Sequence, residues 1–173
     1  MNSDEFKVDG GEMTRNSSLD AKDLAILEAL QHDGRQPLSA LGRKIGLSQP
    51  AMSERVKRLE EQGIITGYGA RVSLPALGLG MMAIIRLKTQ HANIRACLKR
   101  FAELPNVIEV HRVTGDDCFV LKAIVPAPED LAGIVDAIGE FGAVTTSLVL
   151  KSEPAKSVSP SLMRPRKPST TRR

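Results

Sequence analysis

The chain has 173 residues, of which 42% are apolar and 25% charged; that supports one core or two small ones, and no apolar run is long enough to span a bilayer or serve as a secretory signal. Aromatic residues make up 3% with no Trp, which excludes a base-stacking RNA platform, and two distant cysteines, Cys97 and Cys118, read as reduced thiols of a cytoplasmic protein. The net charge of +4 is uneven: residues 19–69 carry seven basic and seven acidic groups, residues 70–150 eight of each, and residues 151–173 seven basic against one acidic, so basicity belongs to the tail and says nothing about what the folded part binds.

Residues 1–18 are polar and aperiodic and are expected to be disordered. A first helix opens at Asp20, a capping residue flanked by the staple pair Leu19 and Leu24. Leu24, Leu27 and Leu30 form its buried stripe, and Gly34 ends it. A second short helix follows over Leu38–Ile45, with Ser39 as the expected cap and Gly46 as the stop.

The third helix is the most fully marked. Ser48 is its expected cap, Leu47 and Met52 form a staple, Pro50 lies in the first turn, and Gly63 closes it. Met52, Val56 and Leu59 share the buried face at i, i+4, i+7 spacing. Pro50, Ser53, Glu54 and Lys57, with Arg58 beside them, form the outer stripe. By itself this pattern fits any amphipathic helix with a solvated face. A tight turn linking it to the preceding short helix makes the pair a helix-turn-helix, whose second helix reads the DNA major groove. Residues 19–66 are therefore read as a winged-type helix-turn-helix domain. Gln49, Ser53 and Lys57 are the candidates for base edges, and Ser48 and Arg58 for phosphates. Arg55 falls near the buried edge and reads as structural or phosphate-facing.

Glycines and Pro75 mark residues 67–80 as a hinge. Beyond it the pattern alternates: strand 81–88, helix 93–104, strands 107–113 and 118–125 around Thr114-Gly115-Asp116-Asp117, helix 128–141, and strand 144–150. This βαββαβ order over residues 81–150 gives a ferredoxin-like domain, an antiparallel sheet with its helices on one face; the whole chain is α+β. Pairing Val113 with Cys118 sets His111, Val113, Cys118, Val120 and Ile124 on the open face. Ile108, Val110, Phe119 and Leu121 then face the helices. The apolar open face calls for a partner sheet. Residues 151–173 form a basic tail expected to be disordered.

Leu47-Ser48, the run Arg55-Val56-Lys57-Arg58-Leu59-Glu60-Glu61-Gln62-Gly63-Ile64-Ile65, and Val113-Thr114-Gly115-Asp116-Asp117-Cys118-Phe119-Val120-Leu121-Lys122 resemble, in order, two motifs of the Lrp/AsnC family of transcription regulators. The resemblance covers residues 19–150. It implies sequence-specific binding to double-stranded DNA and a homodimer assembling to tetramers or octamers. It also implies an amino-acid effector near Gly115, Asp116, Asp117, Cys118 and Thr146. Cys118 and Val144-Thr145-Thr146 depart from the family pattern, so effector identity does not transfer. His111 and Cys118 also invite a metal- or thiol-sensor reading, but a tight zinc site needs about four ligands. No metal, cofactor or catalytic set is expected. The alternative is a small-molecule-binding enzyme on the ferredoxin-like half, with the helical half as an interaction module.

Overall fold

The computed structural model describes residues 19–163; the expected disordered N-terminal segment and the end of the tail lie outside them. The described chain divides into two compact units. One contains residues up to Ala70 together with those from Ala155 onward; the other is Arg71–Pro154.

In the first unit, α1 (Ala21–His32) starts as its sequence dictates. The Asp23 N–H donates to Asp20 Oδ1 at 2.8 Å, and the Asp20 N–H donates back to Asp23 Oδ2 at 3.1 Å. This reciprocal pair satisfies donors that the first helical turn leaves without a partner. Leu24 and Leu27 are buried as expected, but Ile26 is fully buried and Leu30 only half-buried. The buried sector is therefore wider than one i, i+3 stripe. Asp33, in an extended conformation, closes the helix rather than Gly34.

Helix α2 (Leu38–Ile45) has Pro37, not Ser39, at its N-cap, and no side chain caps it. Proline fixes φ, so the entry needs no serine hydroxyl to set its direction. Gly46 ends α2 with φ +72, a left-handed conformation that costs other residues more, and Leu47 N–H reaches back to the Gly42 carbonyl at 2.9 Å. Helix α3 (Gln49–Glu61) follows at once. Ser48 holds its N-cap position with extended backbone but makes no side-chain capping bond. The C-terminus closes with Gly63 N–H to Glu60 O and Ile64 N–H to Leu59 O, both 2.9 Å, the paired bonds of a Schellman end. Met52, Val56 and Leu59 are buried as the spacing predicts and join Ile26, Leu27 and Leu41 in one core.

No strand forms between Gly63 and Gly80 among the described residues. Gly67 and Gly69 leave that segment few side chains with which to hold a ladder. The tail departs from expectation too. Its described part includes a short helix, α6 (Pro160–Met163), and Met163 packs against the helical core.

The second unit has the expected βαββαβ order: β1 (Met81–Thr89), α4 (Ile94–Ala102), β2 (Val107–Arg112), β3 (Phe119–Val125), α5 (Pro128–Gly139) and β4 (Gly142–Leu148). All pairs are antiparallel, in the order β2-β3-β1-β4. Ala83, Ile85, Leu87, Phe119, Leu121 and Val125 alternate onto one face and pack with Cys97, Phe101, Ile134 and Ile138 of the helices. Phe101 and Phe119 meet edge to face, centroids 5.2 Å apart, the arrangement that suits the ring quadrupoles.

Two assignments to sheet faces change. A bulge shifts the β2–β3 register between Val107 and Glu109. It brings Val107 to the core and leaves Ile108 43% exposed, because one extra residue reverses the alternation. Cys118 lies just before β3 and turns toward the core, its thiol donating to the Thr89 carbonyl at 3.1 Å. His111 and Cys118 therefore do not share a face.

Candidate nucleic-acid interface and effector site

Helix α3 presents Gln49, Ser53, Lys57 and Arg58 to solvent, with Ser48 exposed at its start. The core residues Met52, Val56 and Leu59 fix its rotation, so these polar positions face outward as a consequence of the 3.6-residue period. Lys57 lies 3.5 Å from Glu61 one turn later, both well exposed. A pair of this kind is weak and readily exchanges for a phosphate.

Arg58 is engaged differently. Its Nη2 donates to both carboxylate oxygens of Asp23 at 2.9 Å. Arg55 Nη1 donates to Asp23 Oδ1 at 2.8 Å and to Asp20 Oδ2 at 2.7 Å. Two aspartates of α1 and two arginines of α3 thus form a charge-balanced cluster around Asp23, which is 2% exposed. The Asp23 backbone N–H and the Arg55 guanidinium hold the Asp20 carboxyl below the usual carboxylate range. The Asp20 and Asp23 hydrogen bonds raise the already basic Arg55. Arg55 is held within this cluster, the structural one of the two readings its position allowed. The sequence reading missed Asp23, although its i+3 spacing from Asp20 is the capping-box signal.

Gly42 sets how closely the two helices of the motif approach. A Cβ there would stand 2.9 Å from the Leu47 carbonyl oxygen, too close for any side chain without movement of backbone.

The β2–β3 connection carries the second constellation. Val113 N–H donates to Cys118 O at 3.1 Å, which closes the loop as predicted. Gly115 has φ +112 with nothing within 4 Å of a Cβ position. Asp116 is exposed and Asp117 half-buried. Cys118 N–H bonds to Leu87 O at 2.8 Å, which ties the loop to the end of β1. Thr146 is not beside this loop. It pairs with Ile85 of β1, which in turn pairs with Leu121. Two strand spacings, about 10 Å, separate it laterally from β3, and the loop leaves β3 further along. Within one copy the structure brings Gly115, Asp116, Asp117 and Cys118 together and leaves Thr146 apart.

On the open sheet face, Lys122 Nζ reaches Glu109 at 2.8 Å and His111 lies 3.4 Å from the same carboxylate. Lys122, with His111, holds the Glu109 carboxyl below its ordinary range. Among the described residues no group of His, Cys, Asp and Glu is arranged to hold a metal ion, and no helix is long and apolar enough to cross a membrane.

Comparison with known proteins matches both units. Residues 19–60 match the AsnC-type helix-turn-helix domain and residues 82–157 the Lrp/AsnC ligand binding domain. A leucine-responsive regulatory protein from Rhizobium meliloti is 38% identical over 125 residues, spanning 70% of this chain and 78% of that protein. The structure of Bacillus subtilis LrpC is 31% identical with a TM-score of 0.76, covering 80% of this chain and 99% of that one. A transcriptional regulator from Neisseria meningitidis, solved as an L-Met complex, is 26% identical with a TM-score of 0.76, covering 82% and 96%. The helix-turn-helix and the ligand-binding unit are thus those of a DNA-binding regulator rather than an enzyme, and the chain belongs to the Lrp/AsnC family of transcriptional regulators.

Proposed function

We propose that this regulator reads its operator through Gln49, Ser53 and Lys57 and changes its assembly on binding an amino acid. The observation that carries the first half is the outer stripe of α3, exposed at each of these positions on a helix whose rotation the core fixes. Ser48 is free of capping duty, so its hydroxyl suits a phosphate. Arg58 keeps Nη1 and Nε beyond its bond to Asp23 and contacts the backbone of the duplex with those, since a guanidinium carries five donors. One helix reads only a short stretch of DNA. A two-fold dimer presents two, to half-sites a helical turn or its multiples apart.

The effector half rests on the loop Gly115–Cys118. Gly115 carries no side chain to hinder a ligand, and Asp116 offers an exposed carboxylate for an α-ammonium group. The Neisseria relative crystallised with L-Met favours an amino acid here. Thr146 lies too far from the loop within one copy to share a ligand with it. A site between copies brings the two together and ties ligand affinity to assembly in tetramers or octamers. The protein acts in the cytoplasm, where its DNA is.

The test uses duplexes from the DNA flanking the protein's own gene, with and without a panel of amino acids. Lys57→Ala and Ser53→Ala should each weaken specific binding by about 1–3 kcal/mol. Asp116→Ala should remove the ligand response and leave ligand-free binding intact. Wild-type operator affinity in both α3 variants would exclude the groove assignment. Unchanged sedimentation of the wild type with every amino acid would exclude the effector role.

A further inference from the structure

The open sheet face is one side of the ligand-binding unit, and α4 and α5 form the other. Their outward stripes differ in sign. Residues 94–103 contain Arg95, Lys99 and Arg100 against one acid, Glu103, which lies 3.4 Å from Arg100. Residues 128–140 contain Glu129, Asp130, Asp136 and Glu140 and no basic residue. Burial of Ile94, Cys97 and Phe101 turns Arg95, Lys99 and Ala102 of α4 outward. Burial of Ile134, Ala137 and Ile138 does the same for Glu129, Gly133, Asp136 and Glu140 at α5. All of these outward residues are exposed. Among the described residues no ion pair joins α4 to α5, and Arg95, Lys99, Asp136 and Glu140 take part in none.

Helix energetics accounts for only part of this pattern. A helix favours acids in its first turn and bases in its last, which suits Glu129, Asp130 and Lys99. Arg95 stands in the first turn of α4, Asp136 in the last turn of α5 and Glu140 at its C-cap. The macrodipole opposes the charge at each of these three places.

Their spacing matches from one helix to the other. Arg95 and Lys99 are four residues apart, as are Asp136 and Glu140, and four residues rise about 6 Å. Strands β1 and β3 are antiparallel. Each helix returns across the sheet from one of them, so α4 and α5 run in opposite directions. A two-fold axis parallel to the helices therefore lays α4 of one copy antiparallel on α5 of another. One register then sets Arg95 against Glu140, Lys99 against Asp136 and Ala102 against Gly133.

We propose that the outward face of α4 and α5 is a second self-association surface, on which the basic stripe of α4 binds the acidic stripe of α5 in another copy, and the reverse. Each pair then occurs twice. Ala102 and Gly133 let the helices approach closely, and pairs shielded from solvent are screened less. A two-fold axis across the helices would instead lay α4 on α4 and α5 on α5, like charge on like. Charge thus selects one of the two orientations. A sheet-paired dimer presents this face once on each copy, so the contact joins dimers into larger assemblies. The inference rests on the assembly beyond a dimer proposed above and supplies its surface.

The test is sedimentation of the full chain at low salt, with and without the amino-acid panel. One variant carries Arg95→Glu and Lys99→Glu, the other Asp136→Lys and Glu140→Lys. Each alone opposes like charges across the contact and should sediment no larger than the dimer at concentrations where the wild type forms larger species. Mixed in equal amounts, the two present opposite charges at every pair, and the larger species should return. A role for these side chains within one copy gives no such recovery on mixing. Circular dichroism melts establish that both variants remain folded. Larger species that persist in either variant alone, or a mixture that stays dimeric, would overturn the proposal and leave assembly itself standing. A wild type that never exceeds the dimer would strike the assembly reading and the proposal with it.

Discussion

At Asp23 one carboxylate serves three ends: it completes the cap of α1, pairs with Arg55 and Arg58, and fixes α3 against α1. Removing one partner of a buried ion pair typically costs about 3–5 kcal/mol. Arg55 and Arg58 are 24% and 47% exposed and can turn to water. Asp23→Asn should therefore cost less, about 2 kcal/mol, measured by denaturant unfolding. The neighbouring Asp20 adds a pH dependence. Its folded carboxyl titrates below the ordinary carboxylate range, so the native state binds fewer protons than the unfolded chain there. Its contribution is full above the unfolded value and is lost as pH falls through the folded one. Asp20→Asn preserves a capping side chain but removes the charge, so it should lower stability at neutral pH, flatten the acid limb of the profile and meet the wild type at the acid end. A steepened acid limb would contradict this.

Among the elements, those that bury an apolar period were legible and those that rest on single contacts were not. Met52, Val56 and Leu59 announce α3 because three large side chains repeat at helical spacing. The strands read clearly because Ala83, Ile85 and Leu87, like Phe119, Leu121 and Ala123, alternate into the core. The bulge at Val107–Glu109 adds one residue to β2 without a mark in residue type, so Ile108 was assigned to the wrong face. Helix α6 is held by Gln31 and Met163 across a sequence separation that no local pattern encodes. The exposed stripe of α3 was readable from period alone, whereas the ion pairs around Arg58 required knowing that α1 lies beside it. Gly42 is similar: its closeness to Leu47 is a tertiary fact. Gly42→Val should force the turn between α2 and α3 apart and cost about 1–3 kcal/mol of overpacking, read as a lower melting temperature and weaker DNA binding together. Unchanged melting would show that the turn relaxes freely.

On the scale of the molecule, the open sheet face is the surface we propose for assembly. Ile84 and Val120 are half-buried and Ile124 is 7% exposed, all on strand positions that alternate away from the helical core. Glu109, His111 and Lys122 stand among them as an ion-paired patch. Face-to-face sheets exclude water from such surfaces at a spacing of about 10 Å. Ile84→Glu places an unpaired carboxylate in that layer and should shift the sedimenting species to the monomer, while the secondary structure seen by circular dichroism is retained. An unchanged mass would assign the interface elsewhere.

The first unit is discontinuous, closed by residues that follow the entire second unit. Gln31 and Val158 are 127 positions apart in sequence. Synthesis therefore completes every residue of the ligand-binding unit before it adds the last side chains that seal the reading head. During translation the nascent chain acquires its sensor first and its completed DNA-binding unit last.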